Sequence, residues 1–189
     1  MTVPDYLPDL FSDPLRADGN LIQIHEAFIR SGSRFPIDQF ADAIRTQLLA
    51  SPDPGMALTN LIRFSEASVS KAALFNDLVQ YPVILDLLMR LFGSSQYFSD
   101  ILVREPGLFS WLTTTDALVV PLSSGSLTTE LARLRRTFER PERRIEPLKR
   151  IHRREMLRIG AQDLLGSADL ASVTRQLSDL ADGIVGEVC

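Results

Sequence analysis

The sequence is poor in the residues from which compact catalytic and metal sites are built. Its 189 residues include one cysteine, Cys189, and two histidines, His25 and His152. That excludes a disulfide framework, points to a reducing compartment, and leaves a His/Cys zinc site without a ligand set. No stretch approaches the roughly 20 uncharged apolar residues that span a bilayer. The most apolar one, Tyr81 to Phe92, is interrupted by Asp86 and Arg90 and reads as a core helix. Met1 to Asp13 carries Asp5, Asp9 and Asp13 where a secretory signal needs positive charge and then an apolar run. These absences together lead us to expect a soluble, cytoplasmic chain without membrane contact.

Motifs for phosphate chemistry are missing as well. There is no Walker loop and no dinucleotide fingerprint. The one Gly-Ser cluster near carboxylates runs from Phe92 to Asp100. A nucleotidyltransferase site needs a Gly-Ser turn and then, roughly ten residues on, two Asp at alternating strand positions that share Mg²⁺ ions. Here Asp100 follows too closely and position 102 is Leu102, so the cluster reads as a junction between helices. His25 sits between Ile24 and Glu26, and His152 among arginines that lower its proton affinity by like-charge repulsion. Neither has a catalytic motif around it.

What is present is helix. Apolar residues make up 45% and charged residues 23%, the proportions of a globular domain. From Pro36 onward, Ile37, Phe40, Ala41, Ile44 and Leu48 fall at helical spacing. Asp53-Pro54 reads as N-cap and first-turn proline, Ser70 and Asp169 as further caps, Pro82 as a start, and Gly93 and Gly166 as stops. Asp86 and Arg90 form an i,i+4 pair. Leu21 to Ile29 fits a short helix or a strand. Leu148 to Leu165 is apolar nearly all round after Met156, and Leu170, Val173, Leu177, Leu180 and Ile184 make one stripe on a last helix. The spacing of elements is regular, but residue identities do not recur as in a solenoid.

The net charge of −4 is unevenly spread: residues 128–158 hold 11 of the 20 Lys and Arg, and the flanking segments are acidic. The arginines there alternate with Glu130, Glu139, Glu142, Glu146 and Glu155, and Phe138 is the sole aromatic between them. The stretch fits a solvated face, a contact with an acidic or nucleotide-binding neighbour, or a nucleic-acid surface, the last being disfavoured by the lack of aromatics. Asp163 falls on the helical face of Met156, Ile159 and Gly160, where a carboxylate, if buried, should be paired or hydrogen-bonded, with an arginine as the expected partner. Gly160 in mid-helix costs about 1 kcal/mol relative to Ala, which close packing would rationalise.

Two blocks are specific enough to compare with a known family. One runs from Ala57-Leu-Thr-Asn-Leu-Ile-Arg-Phe-Ser-Glu-Ala67 through LFNDLVQYPVILDLLMRLFGSSQYFSDILVREPGLFSWL; the other is RIHRREMLRIGAQDLLGSADLASVTRQLSDLAD. Together they resemble the bacterial glutamine synthetase adenylyltransferases, bifunctional adenylylating and adenylyl-removing enzymes of nitrogen metabolism. Residues 1–50 and 113–145 do not contribute. The resemblance implies AMP transfer from ATP to a tyrosine of glutamine synthetase, or its phosphorolytic removal, with Mg²⁺ and under control of a PII signalling protein and glutamine. It also implies that the first catalytic Gly-Ser…Asp-x-Asp motif follows a segment matching Leu177 to Asp182, close to the end of this chain.

The expectation is therefore an all-α fold: a multi-helix array of short antiparallel helices, one long basic helix and a C-terminal amphipathic helix. Its divisions are an irregular lead-in at 1–19, a helical domain at 20–112, a linker at 113–126, and a segment at 127–189 leading into a nucleotidyltransferase domain. No catalytic, cofactor-binding or metal residue is expected in this chain. Arg153, Arg154, Glu155, Arg158 and Asp163 are the candidate domain-interface residues. A stand-alone helical interaction module is the alternative, and nucleic-acid binding through 133–158 a further one.

Overall fold

The structure is a computed structural model that describes residue 11 and residues 13–188. Most of the expected lead-in, and Cys189, lie outside the described residues. The elements are α1 (Pro14–Ser31), α2 (Ile37–Ala50), α3 (Pro54–Ala67), α4 (Lys71–Gln80), α5 (Pro82–Ser94), α6 (Gln96–Arg104), α7 (Gly107–Thr114), α8 (Ser124–Thr137), α9 (Ile145–Leu164) and α10 (Leu170–Val188). Two 3-10 turns, Asp116–Leu118 and Pro141–Arg144, interrupt the connections before and after α8. Among the described residues there is no strand.

The helix starts follow the sequence chemistry. Asp53 accepts from the Met56 N–H at 2.8 Å, Ser70 from Ala73 at 3.3 Å, Ser95 from Phe98 at 3.4 Å, and Asp169 from Ser172 at 2.7 Å. Each satisfies one of the amide donors that a helix leaves open at its N-terminus. Gly166, with φ +65°, ends the α9 turn in the left-handed region that an L side chain avoids.

Three local expectations change. Pro14 to Gly19, read as irregular, is the first turns of α1, because Asp13 caps it by accepting from Arg16 N–H at 3.1 Å. The buried stripe Ala17, Leu21, Ile24 and Phe28 then settles Leu21 to Ile29 as helix. Gly93 does not stop α5; the helix runs on to Ser94. Its missing side chain instead admits the α2–α3 connection: a Cβ there would meet Ser51 Oγ and stand 3.2 Å from the Asp53 carbonyl oxygen.

The chain divides into two compact units, residues 1–107 and 108–189. The division therefore falls before α7, not in the expected linker at 113–126. Ala117 and Leu122 are buried, and hydrogen bonds from Gln162 and Gln176 tie that segment into the second unit. In the first unit α3 and α5 form the centre, with α1, α2, α4 and α6 packed on them. Phe28, Phe40 and Phe75 meet in its core, Phe28 stacked on Phe40 at 4.4 Å and Phe75 edge-on to both. Among the described residues no single helix is long and apolar enough to cross a membrane.

In the second unit α9 is the expected long basic helix and α10 the amphipathic one. Short links fold the chain back so that α10 packs against both α8 and α9. Leu127, Leu131 and Leu134 of α8, Leu148, Ile151 and Ile159 of α9, and Val173 and Leu180 of α10 make a common core. Gly183 lets α10 approach α8: a Cβ there would stand 2.8 Å from Leu127 Cδ2. The buried face of α10 is rotated from the expected stripe. Gln176 faces inward, while Leu170 is 79% exposed.

Candidate interface around the buried glutamate of α9

Helical spacing on α9 lines up Leu148, Ile151, Glu155, Ile159 and Gln162, and all five are buried. A carboxylate thus occupies the middle of an apolar stripe, where an isolated charge would cost several kcal/mol. Glu155 is 0% exposed, and two arginines lie against its carboxyl oxygens. Arg154 Nε donates to Glu155 Oε1 at 2.7 Å. The other end of that guanidinium grips Glu130 of α8, Nη1 to Oε1 at 3.1 Å and Nη2 to Oε2 at 2.6 Å. The two-pronged bond fixes orientation as well as charge.

Arg158, one turn on, brings Nε within 3.1 Å of Glu155 Oε2. The N–H is not aimed at the oxygen, so both atoms are buried without a hydrogen bond. The contact is an ion pair by proximity only. Trp111 of α7 closes the cluster: its ring lies 5.4 Å from the Arg154 guanidinium carbon and 5.2 Å from that of Arg158. Both cations gain from the ring's negative face. Burial works against the charge of Arg154, but the hydrogen bond to Glu130 and the charges of Glu155 and Glu130 outweigh it and raise its pKa above the usual value. With two arginines and two glutamates the cluster is charge-balanced.

The structure thus brings Arg154, Glu155 and Arg158 together. Arg153 is half-buried on the adjoining face. Asp163 is not with them and is not buried; it is exposed near the end of α9. The residue that turns inward is its neighbour Gln162, whose Nε2 donates to the carbonyls of Ala117 at 2.8 Å and Val120 at 3.0 Å. Its Oε1 accepts from Gln176 Nε2 at 3.1 Å, and Gln176 Oε1 accepts from the Leu122 N–H at 2.7 Å. The sequence held one signal for this pair: Gln162 falls on the same spacing as Leu148, Ile151 and Ile159.

The other basic side chains are largely engaged within the fold. Arg135 pairs with Glu187 of α10, Lys149 with Glu146, and Arg144 donates to the carbonyls of Phe138 and Glu139. A phosphate-tracking surface needs an aligned cationic stripe. Here the cations lie on two helices and a turn, and several are engaged by glutamates or backbone carbonyls.

The comparisons with known proteins bear on this same region. The family described as "Glutamate-ammonia ligase adenylyltransferase" matches residues 85–189, more than half of the chain and the whole of the second unit. The chain belongs to the glutamate-ammonia ligase adenylyltransferase family. The match continues through 113–145, the region that carried no resemblance by motif. Among curated relatives, the "Bifunctional glutamine synthetase adenylyltransferase/adenylyl-removing enzyme" of Mycobacterium tuberculosis (strain CDC 1551 / Oshkosh) is 31% identical over 137 residues, covering 69% of this chain. Those of Mycobacterium bovis and of Mycobacterium tuberculosis strain H37Rv show the same identity and coverage. The chain spans 13% of the length of each.

A nucleotide-bound Mg²⁺ calls for convergent carboxylates. Among the described residues no three His, Cys, Asp or Glu side chains converge to hold a metal. The Gly93-Ser94-Ser95 run forms a helix end and the cap of α6, with no loop of open amides. The described residues do not fit that group.

Proposed function

We propose that this chain is a helical scaffold segment of an enzyme that transfers AMP from ATP to a tyrosine of glutamine synthetase, or removes it by phosphorolysis. The observation that carries the reading is the family match over the packed α8–α10 unit, in a chain that spans 13% of its bifunctional relatives. Catalysis, ATP and Mg²⁺ belong in this reading to a nucleotidyltransferase domain that the second unit supports. Glutamine synthetase is the protein acted on, a PII signalling protein the regulator, and the cytoplasm the compartment.

Arg153, Arg154 and Arg158 border the domain contact in this reading, Glu155 fixes two of them from within, and Asp163 adds an exposed carboxylate. The charge-balanced cluster supports a supporting role: it sets the register of α7, α8 and α9 without offering a reactive group.

The test is transfer of labelled AMP from ATP to glutamine synthetase by this chain alone, beside a full-length mycobacterial relative. The relative is expected to label the synthetase with Mg²⁺ and the chain alone to give background. Robust Mg²⁺-dependent labelling by the chain would overturn the scaffold reading.

A further inference from the structure

The two arginines that meet at the Trp111 ring are not used alike. Arg154 spends all of its nitrogens inside the fold: Nε on Glu155, and the Nη pair on Glu130. Arg158 reaches Glu155 with Nε, at 3.1 Å. That nitrogen is buried, and its N–H is not aimed at the carboxylate. The Nη pair of Arg158 is different. It makes no hydrogen bond to a described residue and is not buried, so the exposed 17% of this side chain includes its fork.

The fork is also held in place. The guanidinium carbon lies 5.2 Å from the centre of the Trp111 ring, and the Glu155 carboxylate lies on its Nε side. All three residues belong to the second unit. Donors ordered in advance lose little rotamer freedom when they bind. Arg154 shows what such a setting accepts. With the same ring and the same glutamate beside it, its fork closes on the Glu130 carboxylate. Arg158 repeats the setting one turn along α9 and lacks the acceptor.

We propose that Arg158, braced on Trp111, is a receptor for one carboxylate, the side chain of an Asp or Glu on a protein partner. A guanidinium fork fits carboxylate and phosphate alike. The buried Glu155 separates them: its charge offsets that of Arg158 and repels a dianion more strongly than a monoanion. The residue types and the single anchor indicate a protein source. Arginine and tryptophan are enriched among the side chains that carry binding energy at protein interfaces. One fork holds a free acid only weakly, whereas a side chain brings the rest of its partner's surface with it. The carboxylate site stands without the scaffold reading; that reading supplies the partner, the domain that the second unit supports.

Side-chain NMR of the whole chain reads the site through Arg158 Nε–H and the indole N–H of Trp111, the lone tryptophan. The probes are the capped peptides acetyl-Ala-Glu-Ala-amide and acetyl-Ala-Gln-Ala-amide, with acetate and inorganic phosphate, all at equal ionic strength. The Glu peptide and acetate should shift both signals with half-saturation at ~10 mM, the affinity of a single charge-assisted pair. The Gln peptide should leave them in place, and phosphate should bind about fivefold more weakly than acetate. Arg158→Lys keeps the charge but loses the planar fork and should weaken the Glu peptide about fivefold, with circular dichroism confirming the fold. Glu155→Gln removes the repelling charge and should close the gap between phosphate and acetate. No saturable shift with the Glu peptide overturns the proposal, as does equal binding of the Gln peptide or by a folded R158K. Phosphate binding the wild type as tightly as acetate overturns it too. A site that admits acetate and refuses the Glu peptide takes a free acid and overturns the protein source. Should R158K not fold, the wild-type comparison of the Glu and Gln peptides decides alone. AMP transfer is a separate readout, so this site and the scaffold reading can fail independently.

Discussion

Glu155→Ala isolates the energetics of the α9 cluster. The carboxylate is 0% exposed, and its arginines are 27% and 17% exposed at Arg154 and Arg158. Breaking a buried pair by removing one partner costs about 3–5 kcal/mol, because a charge is left without compensation. Two features reduce that figure here. Arg154 keeps its two-pronged bond to Glu130, and both guanidiniums keep the Trp111 ring. The truncation also leaves a cavity in the stripe, which adds to the cost. The expected destabilisation is about 2–4 kcal/mol. Glu155→Gln keeps the shape and an acceptor for Arg154 Nε and should cost about half as much. Trp111 is the lone tryptophan, so urea unfolding followed by its fluorescence reads the cluster directly. Pairing Glu155→Met with Arg158→Met removes both sides of the weakly aligned contact and should be near neutral. A Glu155→Ala cost below about 0.5 kcal/mol, or a double substitution as costly as Glu155→Ala, would show that the cluster is not held by charge compensation.

Gly93→Ala should destabilise the first unit by about 1–3 kcal/mol through overpacking against the α2–α3 connection; thermal melts of G93A with and without Ser51→Ala check this, and partial rescue by the serine truncation is expected because Ser51 Oγ is the nearest atom. Gln162→Leu strips the Ala117 and Val120 carbonyls of a donor and Gln176 of its acceptor, at a cost of about 2–4 kcal/mol by denaturant titration. Burial, and then the charge of Arg153, hold the pKa of His152 below its usual value. The unfolded chain therefore binds the proton more readily, and the stability this histidine contributes is present above about pH 6.5 and lost as pH falls through its folded pKa. His152→Gln should remove that part of the acid dependence in unfolding curves recorded between pH 5 and 8.

The readable parts of the fold were those set by local chemistry. Asp53, Ser70 and Asp169 cap because an exposed helix start selects for short acceptors, and the sequence shows such residues directly before apolar periodicity. Gly93 was misread because a glycine at a helix end has two uses. Its value here lies in how closely Ser51 and Asp53 approach, which is a tertiary fact. Asp163 was misread for a related reason: helical spacing placed it near the core, but the face turned by one residue. Glutamine in position 162 meets two carbonyls and a second glutamine at hydrogen-bonding distance, whereas an ionised aspartate has no donor to offer them. The inward-facing residue was decided by partners 14 to 45 positions away in sequence.

The basic stretch shows how a break in a helix alters the meaning of a charge run. Read linearly, residues 133–158 look like one cationic surface. Phe138 to Arg144 instead fold the chain back, which brings Arg154 of α9 against Glu130 of α8. Those near the turn stay at one end of the unit. Arg154 and Arg158 are drawn along α9 into contact with Glu130, Glu155 and Trp111. The run thus does two jobs: its second half is neutralised and fixes how three helices meet, and its first half leaves one end of the unit positive. A linear tally of charge would miss that division. If the fold is what gives the charge pattern its use, moving the break must abolish that use. Pro141 starts the 3-10 turn. A helix-continuing substitution there, Pro141→Ala with Pro147→Ala, should loosen the Glu130–Arg154 bridge between α8 and α9 and reduce the fluorescence protection of Trp111 without changing net charge.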